Sequence, residues 1–214
     1  FDDHGVSGIR YTTDEGSTTN SIYASKQVIL CCGAINTPRL MQISGIGDPE
    51  HLKEIGAPVR HYLRGVGQNL RDHYTTRFTS RVSGAQTIND IANSKPRLLW
   101  EGIKWLSGAS SILGMGVVLG GAFCKSSPEL ERPDLVVTFT PGSFKEGFLG
   151  VLDNIPGMTT GVWPLRPVSS GYVKAASRNF FEAPIIQPNY FADPRDKNLL
   201  LKGQKLIREI LSKP

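Results

Sequence analysis

Fifteen residues constrain this chain more than any others: Gly33-Ala34-Ile35-Asn36-Thr37-Pro38-Arg39-Leu40-Met41-Gln42-Ile43-Ser44-Gly45-Ile46-Gly47. They follow the apolar run Val28-Ile29-Leu30-Cys31-Cys32, which reads as the end of a strand buried on both faces. Gly33 and Ala34 are small enough for the backbone to approach a neighbour or a ligand closely. Thr37 and Pro38 read as the N-cap and first position of a short helix. Ser44-Gly45-Ile46-Gly47 breaks that helix and returns the chain with little side-chain bulk. A buried strand that ends in glycine ahead of a capped helix presents backbone N–H groups to an anionic or polar ligand. The same features suit two turns packed on a sheet with no ligand, and the residues alone leave both readings open.

The pattern around this joint predicts a mixed α+β chain. Residues 6–13 and 21–30 read as strands joined by a turn at Asp14-Glu15-Gly16-Ser17. Asp48-Pro49 opens a second short helix through Leu52 and Ile55, with Gly56 as its stop. Residues 75–82 read as a strand. Residues 87–106 are helical in pattern, with an apolar stripe of Ile88, Ile91, Leu98, Leu99, Ile103 and Leu106 that Pro96 kinks or divides. Four further strands, at 117–123, 134–140, 159–165 and 171–175, suggest a mostly antiparallel sheet. Asp193-Pro194 then starts a last helix through Leu199, Leu206, Ile207 and Ile210.

Composition excludes some functions. The net charge of +5 comes from scattered Lys and Arg residues without interleaved aromatics, so no nucleic-acid groove is expected. The longest apolar run, residues 28–35, is far short of the roughly 20 residues that span a bilayer. No signal peptide is visible, and the chain opens on Phe1 with a strand-like pattern at once, so it reads as part of something longer. Cys31 and Cys32 alternate across the expected strand and point to opposite faces, which suits neither a zinc site nor a redox pair. Together with Cys124 they are expected as buried packing. A reducing compartment is compatible, with a cytoplasmic location favoured, and no metal is expected.

In residue order, the segment 33–47 resembles the second sequence signature of the glucose-methanol-choline (GMC) oxidoreductases, Gly-Ala-x-x-Thr-Pro-x-Leu-Met-x-x-Ser-Gly-Ile-Gly. The resemblance runs along nearly the whole chain. Val66-Gly67-Gln68-Asn69-Leu70-Arg71-Asp72-His73 is similar to the family's Val-Gly-x-Asn-Leu-x-Asp-His segment. Arg132-Pro133-Asp134-Leu135 resembles its entry to a strand of the substrate domain. Leu165-Arg166-Pro167-Val168-Ser169-Ser170-Gly171-Tyr172-Val173 resembles a Leu-x-Pro-x-Ser-x-Gly-x-Val hairpin. Pro184 to Phe191 with Asp193-Pro194 resembles the approach to a late helix. The choline dehydrogenase-like branch is the nearest in pattern.

That resemblance implies part of an FAD-binding Rossmann-like domain over residues 1–73. It implies an antiparallel-sheet substrate domain flanked by helices over 74–190, and the start of a late helix over 191–214. It implies FAD as cofactor, a small alcohol as substrate, and hydride transfer from the alcohol to flavin N5, with the protein positioning and deprotonating. No Gly-x-Gly-x-x-Gly follows a strand at the start, and Gly114, Gly116, Gly120 and Gly121 read as a loop. The family's catalytic histidine is expected beyond Pro214, so no catalytic residue is assigned within the chain and no turnover is expected of it alone. The alternatives are a hydroxynitrile lyase on the same scaffold and a substrate-domain module without activity. Oligomeric state and electron acceptor stay open.

Among individual residues, Gly33 and Ala34 are the expected cofactor neighbours. Asp72 is either a hydrogen-bond partner near the flavin or the cap of a turn, the turn being preferred. His73 is either part of the cavity wall or structural. Thr75 stands where choline oxidase-like members carry an acid that holds a cationic head, which argues against choline. Trp163 lies on a strand that can face the cavity. Trp100, Trp105 and Phe123 are expected in the core. His4, His51 and His61 are expected in ordinary surface or packing roles, His51 on an exposed helix.

Overall fold

The computed structural model describes residues 1–2, 5–13, 18–116, 118–145, 147–148 and 150–213. His4, the expected turn at 14–17 and the first residue of the expected strand at 117–123 lie outside them. The elements begin with β1 (Gly8–Tyr11), β2 (Asn20–Tyr23), α1 (Gly33–Ile43), β3 (Ile46–Gly47), α2 (Pro49–Glu54), β4 (His61–Tyr62) and β5 (Gln68–Leu70). They continue with β6 (Thr76–Arg81), α3 (Ile88–Ala92), α4 (Lys95–Leu106), a single 3₁₀ turn (Ile112–Gly114), β7 (Gly120–Cys124), β8 (Leu135–Thr140) and β9 (Gly157–Pro164). β10 (Gly171–Lys174), β11 (Ile185–Gln187) and α5 (Pro194–Leu211) complete the order. The mixed class with antiparallel sheets is the one the sequence pattern predicts.

Contacts divide the chain into two compact units, Phe1–Arg71 with Ser170–Asn189, and Asp72–Ser169 with Tyr190–Pro214. This division differs from the expected partition at 1–73, 74–190 and 191–214. Residues 170–189 join the first unit because β10 lies between β5 and β11 in one antiparallel sheet.

In the first unit, β1 and β2 form an antiparallel pair, and β3 and β4 a short parallel one. The joint at 33–47 departs from its sequence reading in three ways. Residues 28–32 form no strand among the described residues, and Ile29 is 72% exposed. The run finds no strand to pair with, and an unpaired strand has no ladder to hold it. Cys31 and Cys32 are accordingly exposed rather than packed. Helix α1 begins at Gly33, so Thr37 and Pro38 lie inside it. Gly33 takes φ +78°, a left-handed turn into the helix that side chains rarely adopt, and it starts the helix five residues early. Thr37 Oγ1 accepts the Cys32 N–H at 3.1 Å instead of capping residues that follow it.

The rest of the unit follows its turn chemistry. Asp48 caps α2 by accepting the Glu50 N–H at 3.1 Å, and Gly56 at φ +71° stops it. His51 is buried at 8% exposure, beside the fully buried Leu52, which corrects its expected exposure. Asn69 sits at φ +62°, a conformation asparagine tolerates better than most residues. Gly67, at φ +79°, lies so close to β10 that a Cβ there would fall 2.1 Å from the Val173 carbonyl oxygen.

The second unit is built on a four-stranded antiparallel sheet in the order β6-β9-β8-β7. Helix α5 covers one face, and Leu135, Val137, Val162, Leu200 and Ile207 form the core between them. The expected long helix is two, α3 and α4, separated at Asn93-Ser94. Thr87 and Asp90 make a reciprocal capping box on α3, and Pro96 falls in the first turn of α4, where a missing N–H costs nothing. The apolar stripe of α4 is not core: Leu98, Leu99, Ile103, Trp100, Trp105 and Leu106 are exposed. Phe123 on β7 is exposed as well, at 70%. Helix α4 is seated through Glu101, on the side opposite Leu99 and Leu106. Its buried carboxylate accepts the Ser111 hydroxyl at 2.8 Å and the Ile112 N–H at 2.9 Å and pairs with Lys104. This polar anchor turns the stripe outward.

Asp193 caps α5, accepting the Arg195 N–H at 2.9 Å. One turn in, Asp196 is 1% exposed and accepts the N–H groups of Val168 at 2.8 Å and Ser169 at 2.7 Å. Burial pushes the Asp196 carboxyl up, but hydrogen bonds from Ser169 and Val168 outweigh it and hold it below its ordinary 3.8. A carboxyl depressed by folding stabilises fully above its unfolded pKa and loses that contribution as pH falls through the folded one. Stability of this unit therefore declines below about pH 4. Asp193, held at about 2 by hydrogen bonds to Arg195, adds to the same acid limb. Asp196→Asn turns an amide nitrogen toward a backbone donor, so it lowers stability at pH 7 by about 2 kcal/mol and flattens the acid limb. Urea midpoints measured from pH 7 to 2 check this; an unchanged acid limb in the variant refutes it.

Candidate active-site face

Directly opposed residues of an antiparallel sheet put their side chains on the same face, and alternate residues on opposite faces. In the β6-β9-β8-β7 sheet, Phe78, Val162, Leu135 and Val137 are on the side that packs with α5. The other face is set by register. Arg77, Gly161, Thr138 and Gly121 stand opposite one another in a single row across all four strands. Trp163, Val136 and Phe123 make the row on one side of it, and Thr79, Thr159 and Thr140 the row on the other.

Two of the four residues in the middle row are glycines, and neighbouring side chains close over one of them. A Cβ added to Gly161 would lie 2.9 Å from Thr138 Oγ1, 3.4 Å from Thr75 Cγ2 and 3.8 Å from Trp163 Cζ3. Thr75 and Trp163, singled out from sequence, thus meet over Gly161. Arg77 lies at one end of the row and Gly121 at the other.

The segment leading into β6 is fastened at three points. Asp72 Oδ2 accepts the Tyr190 hydroxyl, and that bond pushes the Tyr190 phenol up. His73 Nε2 lies 3.0 Å from the Leu165 carbonyl, which can only accept, so Nε2 carries a hydrogen. The Tyr74 ring packs against Phe191, with centroids 4.6 Å apart, and edge-on to Tyr190 at 5.6 Å. Burial pushes the Tyr74 phenol up to about 12, and the nearby Asp196 charge adds to this. Phe191 holds φ +61°, strained for a bulky residue, with the Tyr74 ring tilted against it. The recorded partner of Asp72 is therefore a tyrosine, and that of His73 a strand-end carbonyl.

Gly33 and Ala34 belong to the first unit and are exposed at the N-terminus of α1. No side chain caps that terminus, so its first N–H groups stay available. Among the described residues no group of three His, Cys, Asp or Glu side chains can hold a metal ion, and no helix is long and apolar enough to cross a membrane.

Sequence reading missed Arg77, Gly161 and Thr138. Arg77 was within reach, because it lies two residues beyond Thr75 on a strand and must share its face. Gly161 and Thr138 join the site only through inter-strand register, which local pattern does not carry.

Residues 2–75 and 167–214 match two family models, each described as GMC oxidoreductase. The chain is 32% identical over 214 residues to the "Alcohol dehydrogenase [acceptor]" of Pseudomonas putida, covering 100% of this chain and 39% of that protein. It is 33% identical over 211 residues to the mitochondrial choline dehydrogenase of Homo sapiens, covering 96% of this chain and 34% of that protein. Among solved structures it resembles a variant of the formate oxidase of Aspergillus oryzae, with TM-score 0.87 and 25% identity, covering 97% of this chain and 40% of that one. It also shares its fold with an FAD-dependent oxidoreductase from Chaetomium thermophilum, with TM-score 0.83 and 22% identity, covering 100% of this chain and 43% of that one. The chain thus spans a little over a third of the length of these curated relatives.

Proposed function

Because this chain belongs to the GMC oxidoreductase family, we propose that it contributes a cofactor-binding joint and a substrate-facing wall to an FAD-dependent oxidoreductase acting on CH–OH donors. The observation that supports this reading is the sheet face opposite α5, where Thr75 and Trp163 meet over Gly161. Relatives named as an alcohol dehydrogenase and as choline dehydrogenases support the reaction class.

The residues present fit a flavin nucleotide. The N-terminus of α1 is uncapped, and a Cβ at Gly33 would meet nothing within 4 Å, so the approach to its N–H groups is open. Gly33 and Ala34 would hold a polar or anionic part of the cofactor through those groups. Asp72 keeps one carboxylate oxygen beyond the one that Tyr190 occupies. FAD, when bound, supplies the acceptor for the hydride that leaves the carbinol carbon. The chain's own residues bind and orient the alcohol. Thr75 and Thr138 offer hydroxyls, while Trp163 and Val136 give that face apolar surface. His73 is assigned no proton-accepting role in this scheme; its Nε2 hydrogen is directed at the Leu165 carbonyl. It positions the entry to β6.

Anaerobic mixing of the whole FAD-loaded protein with a primary alcohol is expected to bleach the visible flavin absorbance within the turnover time. A flavin that stays oxidised while a cyanohydrin is cleaved would favour the lyase alternative instead.

A further inference from the structure

Helix α4 turns an apolar surface away from its own unit. Leu98, Leu99, Trp100, Ile103, Trp105 and Leu106 are all exposed, Leu99 at 68% and Leu106 at 79%. At about 100° per residue, Leu99, Ile103 and Leu106 form one stripe along the helix, with Trp100 on one flank and Trp105 on the other. The polar arc is narrow and faces inward, where Glu101 is held by Ser111 and Ile112 and pairs with Lys104. The apolar surface continues past the helix. A Cβ on Gly114 would lie 3.8 Å from Trp105 Cδ1, so the 3₁₀ turn sits beside that ring, and Leu113 and Met115 there are exposed as well.

Charge decides what such a face fits. Glu101, the only acid on α4, is buried and spent on Lys104 and the 3₁₀ turn. Lys95 and Arg97 are exposed in the first turn. The Arg97 charge is felt by Asp90 of α3, whose carboxylate is already bonded by the Thr87 N–H and hydroxyl. The exposed charge along α4 is therefore positive. A bilayer offers apolar chains beneath anionic headgroups. An amphipathic helix with Trp at its apolar borders and Lys or Arg on its polar edge is the form that lies in that interface. The twelve residues of α4 reach roughly 18 Å. That is too short to cross a hydrocarbon core of roughly 30 Å, so the helix can only lie along the surface.

We propose that α4 and the adjoining 3₁₀ turn dock this unit on an anionic lipid bilayer. Leu99, Ile103 and Leu106 enter the acyl boundary, and Lys95 and Arg97 meet headgroup phosphates. Lipid binding by this face is independent of the oxidoreductase reading.

Flotation of the whole FAD-loaded protein with lipid vesicles tests this. Vesicles of phosphatidylcholine with about a quarter phosphatidylglycerol carry the native protein upward. L99D/L106D lowers its partition coefficient at least about ten-fold, with the urea midpoint unchanged because both side chains are exposed. K95Q/R97Q lowers binding to the anionic vesicles at least about ten-fold and leaves the weaker binding to pure phosphatidylcholine as it was. Equal partition of native protein and L99D/L106D would overturn the proposal. So would a lipid-free whole protein in which acrylamide fails to quench the emission that W100F/W105F removes, since another part of the protein would then cover the face. A native dimer that binds no vesicles and dissociates in L99D/L106D, seen by sedimentation, would give the face to a second copy instead.

Discussion

Gln42→Ala lowers the unfolding free energy of the first unit by about 3–5 kcal/mol. Gln42 is 2% exposed, and its side chain ties three backbone groups together. Nε2 donates to the Val66 carbonyl at 3.3 Å and to the Val173 carbonyl at 3.1 Å, while Oε1 accepts the Ala175 N–H at 2.7 Å. Strand β10 pairs with β5 and β11 through its own ladder, and the Gln42 side chain binds the groups beside it. Alanine would strand one buried donor and two buried acceptors, each costing about 1–3 kcal/mol, with the surrounding backbone relaxing to recover part of it. Hydrogen exchange gives a local reading of the same event. The Ala175 amide, protected in the native protein, exchanges far faster in the variant. Urea unfolding within about 1 kcal/mol of the native value, with that amide still protected, would show that the amide network carries little.

Ile207→Ala produces the matching loss in the second unit, about 3–4 kcal/mol. Ile207 is fully buried where α5 meets β8 and β9, among Leu135, Val137, Val162 and Leu200. The helix approaches the sheet closely here because Gly203 has no side chain. A Cβ at that position would fall 2.6 Å from Val162 Cγ2. With backbone and sheet already in contact at Gly203, α5 cannot settle inward to fill the space an alanine leaves at 207, so the upper half of the usual range applies. Ile207→Val removes a single methylene and costs about 1 kcal/mol. Thermal or urea unfolding of both variants checks the ordering; equal effects would mean that the cavity collapses.

Local signals were legible wherever a residue acts through its own backbone. Asp48-Pro49, Thr87 and Asp193-Pro194 start helices as their capping chemistry requires, and Gly45 and Gly56 take the positive φ that turns demand. The strands of the second unit were legible from the Pro- and Gly-containing connections that separate them, and Thr75 and Trp163 were legible as candidates because each stands at a strand end or on a strand. The errors share one physical origin. The run 28–32 has the hydrophobicity of a buried strand, but burial needs a partner, and it has none among the described residues. The stripe on α4 has the period of a core helix, yet Glu101 decides which side is held. His51 is polar, yet packing beside Leu52 buries it.

Sequence by itself determined the family, the starts of α2, α3 and α5, the tight turns and the positions of the sheet strands, because these follow from the conformational limits of single residues and their near neighbours. Only the tertiary structure decided that Gln42 bridges segments 131 and 133 residues apart, that 170–189 pack with the first unit, and that Arg77, Gly161, Thr138 and Gly121 share one row. Those depend on which distant strands pair and in which register, and a shift of one residue in that register would have sent every one of these side chains to the opposite face.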